Sequence, residues 1–106
     1  MERGSDVMHR SDHFAFRVSN MARAIAFYTE KLGLRLMFRE RDEQHEEEYA
    51  FLELEGGNLE LIQPCDGGEP FVKPEIHSPY CPHLALSTDS MESTLAMLAE
   101  REIPIV

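Results

Sequence analysis

Two histidines, His13 and His83, open two stretches that lie over one another without a gap, "DHFAFRVSNM" and "PHLALSTDSM". In that register His83 falls on His13, Ala85 on Ala15 and Met91 on Met21, at an offset of seventy residues. A lone histidine at a strand start is most often a hydrogen-bonded or surface residue. Two of them at equivalent positions of a repeat carry more meaning, because halves that pair about a pseudo-twofold axis bring equivalent side chains to one cavity. Glu60, which alternates with Leu59 and Leu61 in "NLELIQP", offers a third group. Two imidazoles and a carboxylate together suit a borderline divalent cation: zinc, nickel, iron or manganese.

These groups need elements to hold them. Strand side chains alternate between faces, so Phe14, Phe16 and Val18 take one side of the first strand and His13, Ala15 and Arg17 the other. The second face is polar at both ends and small in the middle, like the wall of a cavity. Ser19 or Asn20 is placed to cap a helix, along which Met21, Ala24, Ile25, Tyr28 and Leu32 form one stripe. Gly33 ends that helix. The stretches "LRLMFRERDE" and "EEYAFLELE" read as a second and third strand, with the charged run Arg39 to Glu48 as a solvated hairpin between their apolar parts. Gly56 and Gly57 supply the next turn. "NLELIQP" is a fourth strand stopped by Pro64, with Leu59 and Leu61 packing under the helix and Glu60 pointing away.

The chain therefore divides into an N-terminal extension (1–11), a strand-helix-strand-strand-strand module (12–64), a Gly- and Pro-rich connector "CDGGEPFVKPEIHSPYC" (65–81), and the start of a second copy (82–106). That second copy is expected to hold a strand through His83, a helix capped by Asp89 or Ser90, and the beginning of another strand at "IPIV". The fold class is α+β, built on paired βαβββ modules of which the second is incomplete.

Composition narrows the function. At 106 residues with 42% apolar content the chain supports one globular domain. Twenty acidic against ten basic residues give a formal charge of -10, which repels nucleic acid and anionic membranes. "MERGSDVMHR" has no apolar signal core, and no run approaches the roughly 18 apolar residues of a membrane span, so the chain reads as cytoplasmic. Cys65 and Cys81 are too few and too far apart for a disulfide framework or a CxxC unit, and are expected as thiols.

"HFAFRVSNMARAIAFYTEKLG", "NLELIQP" and "PHLALSTDS" together resemble the glyoxalase I, bleomycin-resistance and extradiol-dioxygenase superfamily, the vicinal oxygen chelate fold. The resemblance runs from Asp12 to the end of the chain, and the helix close "FYxxxLG" (Phe27, Tyr28, Leu32, Gly33) is typical of it. It implies metal ligands on the first strand of each half and on the fourth strand, hence His13, His83 and Glu60. The second-half counterpart of Glu60 would lie near position ~130, past Val106, so the second module reads as truncated.

Glyoxalase I resembles the chain best, since it has glutamate at the Glu60 position where methylmalonyl-CoA epimerases generally have glutamine. Arg17 matches an arginine that pairs with a glutathione carboxylate in bacterial glyoxalase I, a task suited to a planar guanidinium. The resemblance implies a lactoylglutathione lyase-like metalloenzyme. It would use nickel or zinc, with iron or manganese also compatible, on a hemithioacetal or related vicinal-oxygen substrate through an enediolate, with Glu60 as ligand and base in turn. The other implied function is a bleomycin-resistance-like protein that binds a cationic small molecule in an acidic groove without catalysis. An incomplete second half leaves apolar sheet surface to be covered, which points to a homodimer.

Overall fold

The computed structural model describes residue 8, residues 10–65, residue 72 and residues 74–106. Most of the expected N-terminal extension and the "DGGEPF" part of the connector lie outside the described residues. The chain forms two compact units, Met1–Pro70 and Phe71–Val106, each considered by itself below.

The first unit carries β1 (His13–Arg17), α1 (Met21–Ala26) running on into a π-helical segment (Phe27–Lys31), then β2 (Arg35–Asp42), β3 (Glu47–Glu53) and β4 (Asn58–Pro64). They make one mixed sheet in the order β1-β4-β3-β2, with β1 parallel to β4 and the other neighbours antiparallel. This is one βαβββ module. The helix starts where its cap permits: Asn20 is extended and its side-chain oxygen accepts from the Arg23 backbone N–H at 3.0 Å. A second orphan donor, the Met21 N–H, is taken by Gln63 Oε1 from β4 at 2.6 Å, so strand and helix start are fastened together. The helix ends at Gly33, whose φ of 78° is the left-handed value that favours glycine.

Alternation decides the two faces. Phe14, Phe16 and Val18 are half-buried while His13, Ala15 and Arg17 are exposed. Leu59 and Leu61 of β4, Ala50 and Leu52 of β3, and Met21 of α1 are the buried core, formed where α1 lies across β3 and β4. Burying a leucine fully contributes about 1.5–3 kcal/mol, and the core residues of three elements meet here. The opposite face of the sheet carries Glu60, Asn58 and Ile62 of β4 beside Tyr49 and Phe51 of β3.

The expected hairpin is present, and its strands run well into the charged stretch. Arg35 pairs with Glu53 directly opposite it, and Arg39 with Glu48, across the β2–β3 ladder. One irregularity matters for the open face. The register shifts between Leu36, opposite Leu52, and Phe38, opposite Phe51, which leaves Met37 as an extra residue. The bulge lets Leu36 share the helix-covered face with Leu52, while Phe38 joins Phe51 on the other.

In the second unit the expected helix is α2 (Met91–Glu100), and of the two candidate caps Ser90 is the one used, its oxygen accepting from the Ser93 N–H at 3.1 Å. The expected strand through His83 is not formed: residues 82–88 carry no ladder, and neither do residues 103–106. The reason is pairing. In the first module β1 gains its hydrogen bonds from β4, forty-five residues later, as in His13 opposite Asn58 and Phe14 opposite Leu59. Residues 83–87 have no neighbouring strand among the described residues, and a strand without a neighbour leaves its backbone groups unpaired.

Candidate metal centre

Parallel pairing of β1 with β4 sets Ala15 opposite Glu60 and His13 opposite Asn58, on the face away from the helix. The Glu60 carboxylate therefore reaches along the sheet toward the imidazole one pleat away. His13 Nε2 stands 3.6 Å from Glu60 Oε1. That gap is longer than a hydrogen bond, so the two groups face each other without sharing a proton directly. Glu60 retains 17% of its side-chain surface and His13 40%, which leaves both reachable from solvent.

The imidazole is held at its other edge. His13 Nδ1 lies 2.7 Å from Asp12 Oδ2. A carboxylate can only accept, so Nδ1 carries the hydrogen. The ring meets Phe51 edge-on at 5.0 Å between centroids, and Phe51 stacks on Phe38 at 4.9 Å with a 24° tilt. Tyr49 completes this aromatic shelf, 6.1 Å from Phe38, and its hydroxyl donates to Glu40 Oε2 at 2.9 Å. That hydrogen bond, followed by burial and the negative charges of Glu40, Asp42 and Glu60, raises the Tyr49 phenol above its ordinary value. Phe38, Tyr49 and Phe51 were not among the sequence-level site candidates. Their signal was present in the alternation of Tyr49 and Phe51 along β3, but the bulge that brings Phe38 beside them has none.

Of the residues expected to act, the structure brings His13 and Glu60 together. Arg17 lies on the same exposed face of β1, toward its far end and opposite Ile62. His83 belongs to the second unit, where its Nδ1 is 3.1 Å from the Cys81 carbonyl, a contact in which the ring nitrogen donates and Nε2 keeps its lone pair. Both histidines thus have Nδ1 engaged by an oxygen acceptor. Among the described residues no three His, Cys, Asp or Glu side chains gather as a ligand set, so the first module presents a pair of donors.

The pair fits a divalent ion on its donor chemistry. One imidazole nitrogen and one carboxylate oxygen are ordinary ligands for zinc, nickel, iron or manganese, and two donors bound at about 2.1 Å to one ion stand roughly 3.0–3.4 Å apart. The observed 3.6 Å is within a small side-chain adjustment of that span. The outer contact from Asp12 to Nδ1 is the kind of second hydrogen bond that ligating histidines usually make.

Known proteins agree with this architecture. A curated protein of Bacillus subtilis (strain 168), uncharacterized protein YqjC, is 26% identical over 102 residues, covering 93% of this chain and 71% of its own length. The crystal structure of a glyoxalase family protein from Enterococcus faecalis superposes with a TM-score of 0.68 at 24% identity, over 85% of this chain and 70% of that one. The trypanothione-dependent glyoxalase I of Leishmania major gives a TM-score of 0.68 at 21% identity, over 90% of this chain and 68% of that one. At those identities the two structures speak for the fold alone. A family model spans nearly the whole sequence: residues 12–106 match the glyoxalase/bleomycin resistance protein/dioxygenase superfamily, and the chain belongs to that superfamily.

Proposed function

We propose that the protein is a metal-dependent lyase of the glyoxalase I type, isomerising a hemithioacetal or a related substrate with oxygens on adjacent carbons. The observation that carries this reading is the approach of His13 Nε2 to Glu60 Oε1 at 3.6 Å on the open face of the sheet, in a chain of this superfamily. His13 and Glu60 would hold the ion from the first module, and His83 is the further donor that the resemblance implies; nickel or zinc would suit such donors best, with iron or manganese as further candidates. When bound, the ion supplies Lewis-acid polarisation of the substrate's two oxygens.

The chain's own residues do the rest. Glu60 takes the proton from the carbon that bears the hydroxyl and the sulfur, and the electron pair moves toward the neighbouring carbonyl oxygen to give an enediolate. Return of that proton to the former carbonyl carbon, with the hydroxyl proton passing to the former carbonyl oxygen as the oxygen it leaves becomes the thioester carbonyl, yields the thioester of a 2-hydroxy acid, so atoms and charge balance. Arg17, on the same face, binds a carboxylate of the thiol portion. The aromatic shelf of Phe38, Tyr49 and Phe51 keeps water from one side of the reacting carbons. A homodimer goes with this reading, a second copy covering the open face of the sheet.

Zinc and nickel titration of the purified chain, followed by calorimetry, tests the proposal. Binding at one ion per site is expected, weakened by about 100-fold or more in each of His13→Ala, Glu60→Ala and His83→Ala. Glu60→Gln should abolish turnover of a methylglyoxal hemithioacetal. Metal-independent tight binding of a cationic glycopeptide, with no metal bound at all, would replace this reading with sequestration.

A further inference from the structure

We infer that Asp12 is a positioning residue for His13: it fixes the imidazole in the tautomer whose free Nε2 lone pair faces Glu60. The inference rests on the proposed reading only in taking that lone pair as a metal donor. Two contacts hold the ring and leave its second nitrogen facing Glu60. Asp12 Oδ2 accepts from Nδ1 at 2.7 Å, Phe51 meets the ring edge at 5.0 Å, and Nε2 is left pointing to the carboxylate 3.6 Å away. In water a neutral histidine side chain favours the proton on Nε2, which would turn an N–H toward Glu60 and close the position to any cation. The contact to Asp12 reverses that preference.

Asp12 can do this because its main chain is anchored although its side chain is exposed. Its carbonyl accepts from the Asn58 N–H at 2.9 Å, extending the β1–β4 ladder by one residue before β1 begins. The residue before it is tied as well, Ser11 Oγ donating to the Gly56 carbonyl at 2.5 Å. Gly57 makes room for that tie: a Cβ there would sit 2.8 Å from Ser11 Oγ, and its φ of 144° lies in the range side chains avoid. The turn before β4 therefore fixes the strand that carries Glu60 and the residue that orients His13 in one piece.

Nitrogen NMR of the imidazole in the metal-free chain, at a pH where the ring is neutral, reads the tautomer directly. The wild type should show His13 protonated at Nδ1, Asp12→Ala should shift it toward Nε2–H, and Asp12→Asn, whose amide oxygen can still accept, should keep most of the wild-type form. Zinc affinity should fall about 10–100-fold in Asp12→Ala and less in Asp12→Asn, with unchanged near-ultraviolet circular dichroism showing an intact fold. An Nε2–H tautomer in the wild type, or an Asp12→Ala chain with unaltered tautomer, overturns the inference. A wild-type chain that binds no zinc yet shows the Asp12-dependent tautomer overturns the metal reading and supports the role of Asp12.

Discussion

Two Asp–His contacts of the same 2.7 Å length do different work in this chain. Asp12 turns His13 toward a carboxylate on the open sheet face. Asp42 and His45 close the β2–β3 hairpin, where Asp42 Oδ1 also accepts from the backbone N–H groups of Gln44 and His45 at 3.0 and 3.2 Å. The hairpin pair shifts both partners. The hydrogen bond to Asp42, then its charge, with a smaller contribution from Glu47, holds His45 above its ordinary 6.5. The bonds from His45 hold Asp42 below its ordinary 3.8. Stabilisation from a raised histidine is complete below its unfolded value and fades as pH rises through the folded one. Stabilisation from a lowered aspartate is present above its unfolded value and fades as pH falls through the folded one. The pair is therefore fully formed between about pH 4 and 6.5. Thermal melts of His45→Ala against the wild type should differ by a small amount in that window, because His45 is exposed and Asp42 only half-buried, and should converge as pH rises through the raised value of His45. A gap that widened with rising pH would contradict the assignment.

At the scale of elements, the sheet order decides what the site can be. β1 and β4 are adjacent although forty-five residues separate their paired positions, and that adjacency is what sets His13 beside Glu60. β2 is an edge strand, and its bulge at Met37 is both a turn of the edge away from regular pairing and the device that brings Phe38 to the open face. Deleting one residue from a strand normally sends every later side chain to the other face. Here deletion of Met37 should leave Leu36 opposite Leu52 and Phe38 opposite Phe51, because Met37 is the unpaired residue. The expected change in stability is about 1 kcal/mol or less, with the near-ultraviolet dichroism of the Phe38–Phe51–Tyr49 cluster retained. Deletion of Arg39, which lies beyond the bulge, should instead turn Glu40 to the helix-covered face, break its hydrogen bond with the Tyr49 hydroxyl and lower the melting temperature steeply. Loss of the aromatic signal on deleting Met37 would mean that the bulge is needed for more than register.

At the scale of the molecule, the first unit is one βαβββ module and the second has a helix without a sheet. Leu86, Met91 and Leu95 are exposed in the second unit, and Phe38 is exposed on the sheet of the first. With a second copy as the cover, light scattering at micromolar concentration should give twice the mass of one chain, and the interface should exceed about 1,000 Å². A strictly monomeric species that still bound zinc through His13 and Glu60 would remove the dimer from the proposal and keep the metal. No helix among the described residues is long and apolar enough to cross a membrane.

Local physics was legible in the sequence. Period-two alternation separated Phe14, Phe16 and Val18 from His13, Ala15 and Arg17, and Leu59 and Leu61 from Glu60, because the side-chain direction along a strand depends only on position. Each helix start was legible to within two adjacent residues, Ser19 or Asn20 and Asp89 or Ser90, of which the structure uses Asn20 and Ser90, and the helix end at Gly33 followed from left-handed backbone; these are also local properties. What the tertiary structure decided are the relations across the sheet. The 3.6 Å approach of His13 to Glu60 depends on parallel pairing of two strands far apart in the chain, and no local propensity encodes that register. The Met37 bulge depends on which pairing of β2 buries Leu36 against its neighbours. The absence of a strand through His83 has the same origin. "HLALS" has the alternation of β1, but alternation only prepares a strand, and hydrogen bonds from a neighbour complete it.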